Sequence, residues 1–413
     1  MIQRPNIVLV IIDDLGRSQL RFDGVSLEGP RLPFLEMMAA RGHLFTNFYT
    51  MAACSSTRAS LLTGLHPQQH GVGEALSPSE PFVMSDLLDT IWAAAQRAGY
   101  QGPALVGKNH LSHRDSDPLY RGCAYFKGTL GNPGSYYDWE AEVDGEQERI
   151  YVYSTEQIAI WAGDYIELFG QSPDPFFLQI AFHAAHKPFH DPPLGTYETP
   201  ITDDTTRFYA AAEAIDFQIR RLFAKIPPQQ AANTLWMVFS DNGSPADVHL
   251  VPSGQGKGTT GEGGVHNNLI VYHPQLPAIL WDQLVSVVDI KPTLQDLMGD
   301  EEPHPEGSRS FVSALNEDVL VGRDFLCVQK HKPAGFDSFD ILERAAVSAP
   351  GLFGSIYKLR RRETYGQLQY ETLHNLTTAP YGEDGVALDL QSLQPEEQQA
   401  LTALRQQIQM MGG

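Results

Sequence analysis

The chain has 413 residues, 42% of them hydrophobic and 19% charged, with a formal net charge of −21. That composition belongs to a folded protein of two or three domain-sized units and excludes a disordered chain. The acidic balance argues against nucleic acid or anionic membrane as partners, and the apolar runs are too short to cross a bilayer.

The run Asn6 to Ile12, NIVLVII, reads as a strand buried on both faces of a parallel sheet. It starts so close to residue 1 that no room is left for a signal peptide, so the expected location is cytoplasmic unless the chain has been shortened. The strand ends at Asp13-Asp14-Leu15-Gly16. Two acids there serve either as a turn and helix cap or as hard oxygen ligands for Ca²⁺ or Mg²⁺. Arg31 to Arg41 reads as a helix opened by proline and ended by Gly42, and His43 to Tyr49 as a second strand.

Next comes MAACSSTRASLLTGLHPQQHGVG, Met51 to Gly73. A small-residue loop runs into a helix expected to begin near Ser56 or Thr57, whose caps place Cys54 beside the free N–H groups of the first turn. Such a position attracts anions and favours thiolate over thiol. Arg58, one turn in, can fork onto two oxygens of a tetrahedral anion. The three cysteines, Cys54, Cys123 and Cys327, have neither zinc-like spacing nor the even count of a disulfide framework.

Met84 to Ala98 reads as an amphipathic helix closed by Gly99, and Gly102 to Val106 as a strand ending at Gly107-Lys108-Asn109-His110. Gly102 to Lys108 fits Gly-x-x-x-x-Gly-Lys, but a phosphate-binding loop needs Ser or Thr after its Lys, and Asn109 stands there. Lys127 to Glu148 reads as a long polar loop over the mouth of the site, and Ser154 to Phe169 as a helix. Phe176 to Phe182 is a buried-strand pattern ending at His183-Ala-Ala-His186-Lys187-Pro188, with His183 and His190 read as structural. Thr205 to Ile226 is a strong helical pattern, and Leu235 to Phe239 a strand that runs into Ser240-Asp241-Asn242-Gly243, by default a tight turn. Gly254 to Gly264 holds one lysine, Lys257, among six glycines. Leu269 to Tyr272 reads as a short strand and Val288 to Met298 as a helix. Past about Asn316, short strands at Asp324–Gln329, Leu352–Leu359 and Gln367–Thr372 suggest a small antiparallel sheet, closed by a helix at Pro395–Met410.

Four buried-strand patterns, ending near Ile12, Val106, Phe182 and Phe239, each run into ionisable residues. Open parallel sheets bind ligands beyond the carboxyl ends of their strands, so Asp13, Asp14, Lys108, His110, His186, Asp241 and Asn242 are expected along one edge. Three carboxylates and an amide carbonyl make an oxygen cage for one hard divalent cation, Ca²⁺ first and Mg²⁺ or Mn²⁺ next. Arg58, Lys108 and Lys257 supply the local positive charge that an acidic chain otherwise lacks.

Cys54 to Arg58 followed by Leu62-Thr63-Gly64 resembles the signature of the sulfatase family, Cys-x-Pro/Ala-x-Arg with Leu-Thr-Gly, and His70-Gly71-Val72-Gly73 resembles its tail. Lys108 and His110 resemble the family's Gly-Lys-x-His-Leu, and His186 its His shortly before a Pro. Asp241-Asn242 resembles the second half of its metal site, and Gly256-Lys257-Gly258 with Glu262-Gly263-Gly264 its Gly-Lys-Gly-x-x-x-Glu-Gly-Gly. Ser56 departs from the Pro or Ala by which the maturation enzyme recognises its target, and His266 replaces an Arg, as a supporting residue. The resemblance implies a sulfuric ester hydrolase with an alkaline-phosphatase-like α/β fold. A largely parallel sheet flanked by helices would occupy residues 1–316, and an antiparallel sheet plus helix residues 317–413. It also implies that a formylglycine-generating enzyme converts Cys54 to formylglycine, whose hydrate is the nucleophile beside a metal on Asp13, Asp14, residue 54, Asp241 and Asn242. Asp241 would help activate it, and Arg58, Lys108 and Lys257 would hold the sulfate charge. His186 with Lys257 would protonate the alcohol of a small sulfate ester, and His110 would expel sulfate. A phosphonate monoester or phosphodiester hydrolase makes the same demands. An unconverted Cys54 would instead leave a non-catalytic anion-binding relative.

Overall fold

β-branched side chains pack well on a pleated surface covered from both sides, and the run Asn6–Ile12 forms β1, buried along its whole length. The structure, a computed structural model, describes residues 2–22, 24, 26, 28–77, 82, 84–248, 250–251, 255–336, 339–377 and 387–411. The other strands of the main sheet are β2 (His43–Tyr49), β3 (Gln101–Lys108), β4 (Tyr125–Thr129), β5 (Trp139–Val143) and β6 (Glu146–Ile150). They continue with β7 (Phe176–Ala181), β8 (Thr234–Ser240), β9 (His266–Tyr272), β10 (Ile279–Trp281) and β11 (Val285–Ser286). The order is β10-β2-β9-β8-β1-β7-β3-β4-β5-β6, with β11 also paired to β2. From β8 to β4 all neighbours are parallel. β9 runs against both β8 and β2, and the β5–β6 hairpin finishes the far edge antiparallel.

Strand alternation sorts the helices into two layers. Ile7, Leu9 and Ile11 share a core with residues of the helices Cys54–Thr63, Ile91–Arg97 and Ile290–Met298. Val8, Val10 and Ile12 share the opposite core with the helices Pro33–Arg41, Ser154–Phe169 and Asp204–Lys225. A second sheet, β12 (Phe325–Lys332), β13 (Ile341–Ser348), β14 (Tyr357–Thr364) and β15 (Gln367–Asn375), is antiparallel throughout. The helix Pro395–Met410 lays Ala400, Leu401, Leu404 and Ile408 on it. No helix among the described residues is long and apolar enough to cross a membrane.

Several elements differ from the expectations. Residues 127–148 are not one loop, because Trp139, Ala141 and Val143 point inward and make β5 a strand, while β6 stays an exposed polar edge. The helix expected from Met84 begins only at Ile91, where Thr90 accepts the Ala93 N–H and starts it. β13 carries no clear alternation and was not expected, and the strand placed at Leu352–Leu359 begins only at Tyr357. Gly254, in the glycine-rich stretch, lies outside the described residues.

Candidate active site

Cys54 is the first residue of the helix Cys54–Thr63, with Ala53 as its extended N-cap. Ser56 and Thr57 are therefore inside the first turn and do not cap it. Their hydroxyls serve the incoming loop instead: Ser56 Oγ donates to the Ala53 carbonyl at 2.8 Å, and Thr57 Oγ1 accepts the Met51 N–H at 3.0 Å. The expected thiolate is also corrected, because burial pushes the Cys54 thiol up, with Lys108 and Lys257 opposing. Its Sγ lies 3.1 Å from His110 Nδ1. His110 sits in the left-handed region at φ 58°, and its Nε2 donates to the Leu76 carbonyl at 3.1 Å. With the proton on Nε2, Nδ1 faces position 54 as an acceptor.

The strand ends bring the charged residues together. Asp13 Oδ2 pairs closely with the Lys108 ammonium and lies 3.2 Å from Arg58 Nη2. Arg58 reaches across to Asp241 as well, with Nη2 at 2.7 Å and Nε at 3.2 Å from Oδ2, and donates through Nη1 to the Lys108 carbonyl at 2.9 Å. Asp14 Oδ1 accepts from Lys257 Nζ and from Asn242 Nδ2, both at 2.6 Å, while the Asp14 N–H donates to Asp241 Oδ1 at 3.2 Å. His186 Nε2 stands 3.8 Å from Asp14 Oδ2, and its Nδ1 donates to the Lys187 carbonyl at 2.7 Å. Nine of the ten residues expected at the site thus meet at the carboxyl ends of β1, β3, β7 and β8 and the start of the Cys54 helix, and Lys257 reaches Asp14 from the glycine-rich stretch. Burial would raise the Asp13 carboxyl, but Lys108, then His186 and Arg58, hold it well below its ordinary range. Asp241 goes the other way, pushed up to about 6 by burial and by Asp13 against Arg58.

The donor set fits a hard cation. Buried polar atoms seldom go unpaired, yet Asp13 Oδ1, Asp14 Oδ2 and Asn242 Oδ1 are buried with no hydrogen-bond partner. All three are oxygens, the ligand type that Ca²⁺ and Mg²⁺ take. Asp13, Asp14 and His186 offer ligand atoms within 4.8 Å of one another, and Asp241 and Cys54 stand outside that group. Both Asp241 oxygens are engaged, one by the Asp14 N–H and one by Arg58.

Other residues support the cluster without any motif to announce them. Tyr136, in a stretch read as loop, donates its hydroxyl to the carbonyls of His183 at 2.8 Å and His186 at 2.6 Å and so ties down the turn after β7. His183 lies between Ser154 and Thr129, and burial lowers it to about 3, in keeping with a structural role. His190 stacks on Tyr136 at 3.7 Å. Gly243 allows the Asp241-Asn242 turn to press on the glycine-rich stretch, since a Cβ there would lie 1.7 Å from the Gly263 carbonyl oxygen. His266 bonds Glu262 at 2.6 Å and stacks on Tyr49, behind the site and not in it. Glu262 belongs to the quoted Glu-Gly-Gly motif, but its partner Lys358, 2.6 Å away on β14, lies in a run of basic residues that gives no sign of burial.

The family model for sulfatases matches residues 5–300. The chain belongs to the sulfatase family. Among curated relatives, the N-acetylgalactosamine-6-sulfatase of Mus musculus is 29% identical over 349 residues, covering 73% of this chain and 64% of its own length. Arylsulfatase G of Rattus norvegicus is 27% identical over 376 residues, covering 78% of this chain and 69% of the relative. This sulfatase-family chain therefore spans less than two thirds of the first of these relatives. Of the solved structures, Ps i-CgsB in complex with k-i-k-neocarrahexaose superposes with a TM-score of 0.83 at 22% identity, over 99% of this chain and 93% of that one. BT4656 in complex with its substrate D-glucosamine-2-N,6-O-disulfate gives 0.76 at 16% identity, over 99% and 97%. At these identities the structural likeness speaks for the fold.

Proposed function

We propose that the chain is a sulfatase that hydrolyses a sulfate monoester at the edge where Cys54, Asp13, Asp14, Asp241 and Asn242 meet. The observation that carries the reading is the trio of orphaned buried oxygens, Asp13 Oδ1, Asp14 Oδ2 and Asn242 Oδ1, set among three cations in an acidic protein. Asp13, Asp14 and Asn242, with Asp241 beside them, would hold one divalent cation, Ca²⁺ by preference. That ion supplies Lewis-acid polarisation of the ester, and formylglycine made from Cys54 by a maturation enzyme supplies the hydrated-aldehyde nucleophile.

The chain's own residues do the rest. Arg58, Lys108 and Lys257 place positive charge where the sulfate oxygens gain negative charge. Asp241 accepts the proton of the attacking hydroxyl. His110, fixed by its bond to Leu76, accepts a proton at Nδ1 from residue 54 when sulfate is expelled. His186 Nε2 and the Lys257 ammonium both stand at Asp14, and one proton, from the Lys257 ammonium or from His186 when both its ring nitrogens are protonated, passes to the departing alcohol as the sulfur–oxygen bond breaks. The sugar sulfates in the relatives' names support a sugar as that alcohol. Residues 1–316 would form the catalytic unit and 317–413 a smaller second one.

The test has two parts. Mass spectrometry of the peptide spanning residue 54 should show sulfur and two hydrogens replaced by one oxygen. Sulfate release from para-nitrophenyl sulfate and a 6-O-sulfated hexosamine should exceed turnover of a phosphate diester under the same conditions. An unmodified Cys54 in protein that still hydrolyses sulfate esters at enzymatic rates would overturn the nucleophile assignment, and faster turnover of the diester would overturn the substrate assignment.

A further inference from the structure

We propose that Glu343 and Arg360, on the C-terminal sheet, are positioning residues that hold the glycine-rich turn carrying Lys257 in register with residue 54. The proposal rests on the role given to Lys257 in sulfate-ester hydrolysis. Residues 255–264, QGKGTTGEGG, contain no apolar side chain and five glycines. Such a segment has no core of its own and loses much backbone entropy on being ordered, so its position must come from bonds made to it.

Those bonds come from two sides. On the catalytic side, the Lys257 N–H donates to the Ser244 carbonyl at 3.0 Å, just past Asp241-Asn242-Gly243, and the Gly258 N–H to the Ala52 carbonyl at 2.8 Å, two residues before Cys54. From the other side, Glu343 on β13 accepts both the N–H and the hydroxyl of Thr260 at one oxygen, at 3.1 and 2.5 Å. Arg360 on β14 donates to the same Glu343 oxygen at 3.0 Å, to Thr260 Oγ1 at 3.3 Å and to Gln255 Oε1 at 3.0 Å. Lys330 on β12 donates to the Gly258 carbonyl at 2.6 Å, one residue from Lys257.

Glu343 and Arg360 are both buried. Burying an ion pair is a weak way to gain stability, so such a pair is better explained by what it holds in place. Here three strands of one sheet send polar side chains to one turn, and Lys257 projects from the far side of that turn onto Asp14. A displacement of about 1 Å in a catalytic group can cost roughly a hundredfold in rate.

The experiment compares Glu343→Ala, Glu343→Gln, Lys257→Ala and the Lys257→Ala/Glu343→Ala double variant, all in the full chain. It records kcat and KM on para-nitrophenyl sulfate and on phenyl sulfate, together with amide hydrogen exchange over residues 255–262. Glu343→Ala is expected to speed exchange in that segment and to lower kcat at least about tenfold with little change in KM, most for phenyl sulfate, the poorer leaving group. Glu343→Gln, which keeps an acceptor oxygen for Thr260, should recover much of the rate. The double variant should be no slower than Lys257→Ala alone, because both act through one ammonium. Multiplying losses in the double variant, or unchanged exchange in Glu343→Ala, would overturn the proposal. Wild-type rates in Lys257→Ala with fast exchange in Glu343→Ala would overturn the role of Lys257 and leave the clamp intact. Should Glu343→Ala not fold, Thr260→Val, at the turn's own end of the contact, carries the same expectations.

Discussion

Replacing Lys358 by Met would measure the joint between the two sheets. Lys358 Nζ lies 2.6 Å from Glu262 Oε1, with both side chains fully buried. At an effective dielectric of about 20, opposite unit charges this close attract with roughly 6 kcal/mol, much of it offset by the cost of taking both out of water. Removing one partner leaves a buried carboxylate, which typically costs about 3–5 kcal/mol. His266 Nδ1 at 2.6 Å and the Tyr49 hydroxyl at 3.1 Å remain on Glu262, so the expected loss is near the lower end, about 3 kcal/mol at pH 7. The loss should also depend on pH. In the native chain burial would raise the Glu262 carboxyl, but Lys358 and then His266 outweigh it and hold it far below its ordinary range. A depressed carboxyl stabilises the fold above its unfolded value, and that contribution is lost as pH falls through the folded value. Without Lys358, burial prevails and the carboxyl rises above the unfolded value of about 4.3. Between that value and the raised one the variant then loses about 1.4 kcal/mol per pH unit as pH rises. The gap between native and variant therefore narrows on acidification. Urea denaturation at pH 7 and pH 5, with both proteins in parallel, reads it. A loss below about 1 kcal/mol, the range of an exposed pair, or an equal loss at both pH values would refute the reasoning.

Asp14→Ala and Asn242→Ala are each expected to weaken Ca²⁺ binding at least about tenfold by isothermal titration, and unchanged binding would remove them as ligands. Gly243→Ala must separate the Asp241-Asn242 turn from Gly263; it is expected to lower both sulfate release and stability, the latter by about 1–3 kcal/mol in thermal unfolding. Asp216 accepts the N–H groups of Phe34 at 3.1 Å and Leu35 at 2.8 Å at the start of the Pro33–Arg41 helix, and burial pushes its carboxyl up to about 6. A raised carboxyl gives stability that is lost as pH climbs from the unfolded value of about 3.9 to the folded one. Asp216→Asn does not titrate, so it should cost less at pH 7 than at pH 4 in urea denaturation, and a cost independent of pH would refute the shift.

The edge that carries the candidate site was legible because a parallel sheet announces itself twice, by its apolar runs and by the ionisable residues directly after them. β1, β7 and β8 were placed within a residue or two from β-branched and aromatic content alone, and the residues just past their ends are those that meet in space. The start of the Cys54 helix was less legible. Ser56 and Thr57 are cap formers by type, but the Met51 and Ala53 backbone claims their hydroxyls, and no local pattern reveals that competition. The acidity of Cys54 was misjudged for a related reason, since a helix end favours thiolate only where the thiol is not wholly buried. The β5–β6 hairpin was hidden because β6, EQERI, is polar in all but its last residue, as an edge strand that avoids pairing with other chains should be. The contacts of Lys330, Glu343 and Arg360 were invisible because their partners lie 72 to 105 positions upstream, on a turn with no side-chain pattern of its own.

The central place of β1 has a consequence for how the protein is made. Asn6–Ile12 leaves the ribosome well before its two neighbours in the sheet, Phe176–Ala181 and Thr234–Ser240. At about 5–20 residues per second, roughly ten to fifty seconds pass before the second neighbour exists. Through that interval this apolar strand lacks its native partners, and the nascent protein depends on chaperones or on transient local collapse to keep it from other chains. Cys54, buried in the finished fold, is accessible over the same span, the interval in which the conversion to formylglycine proposed above would take place.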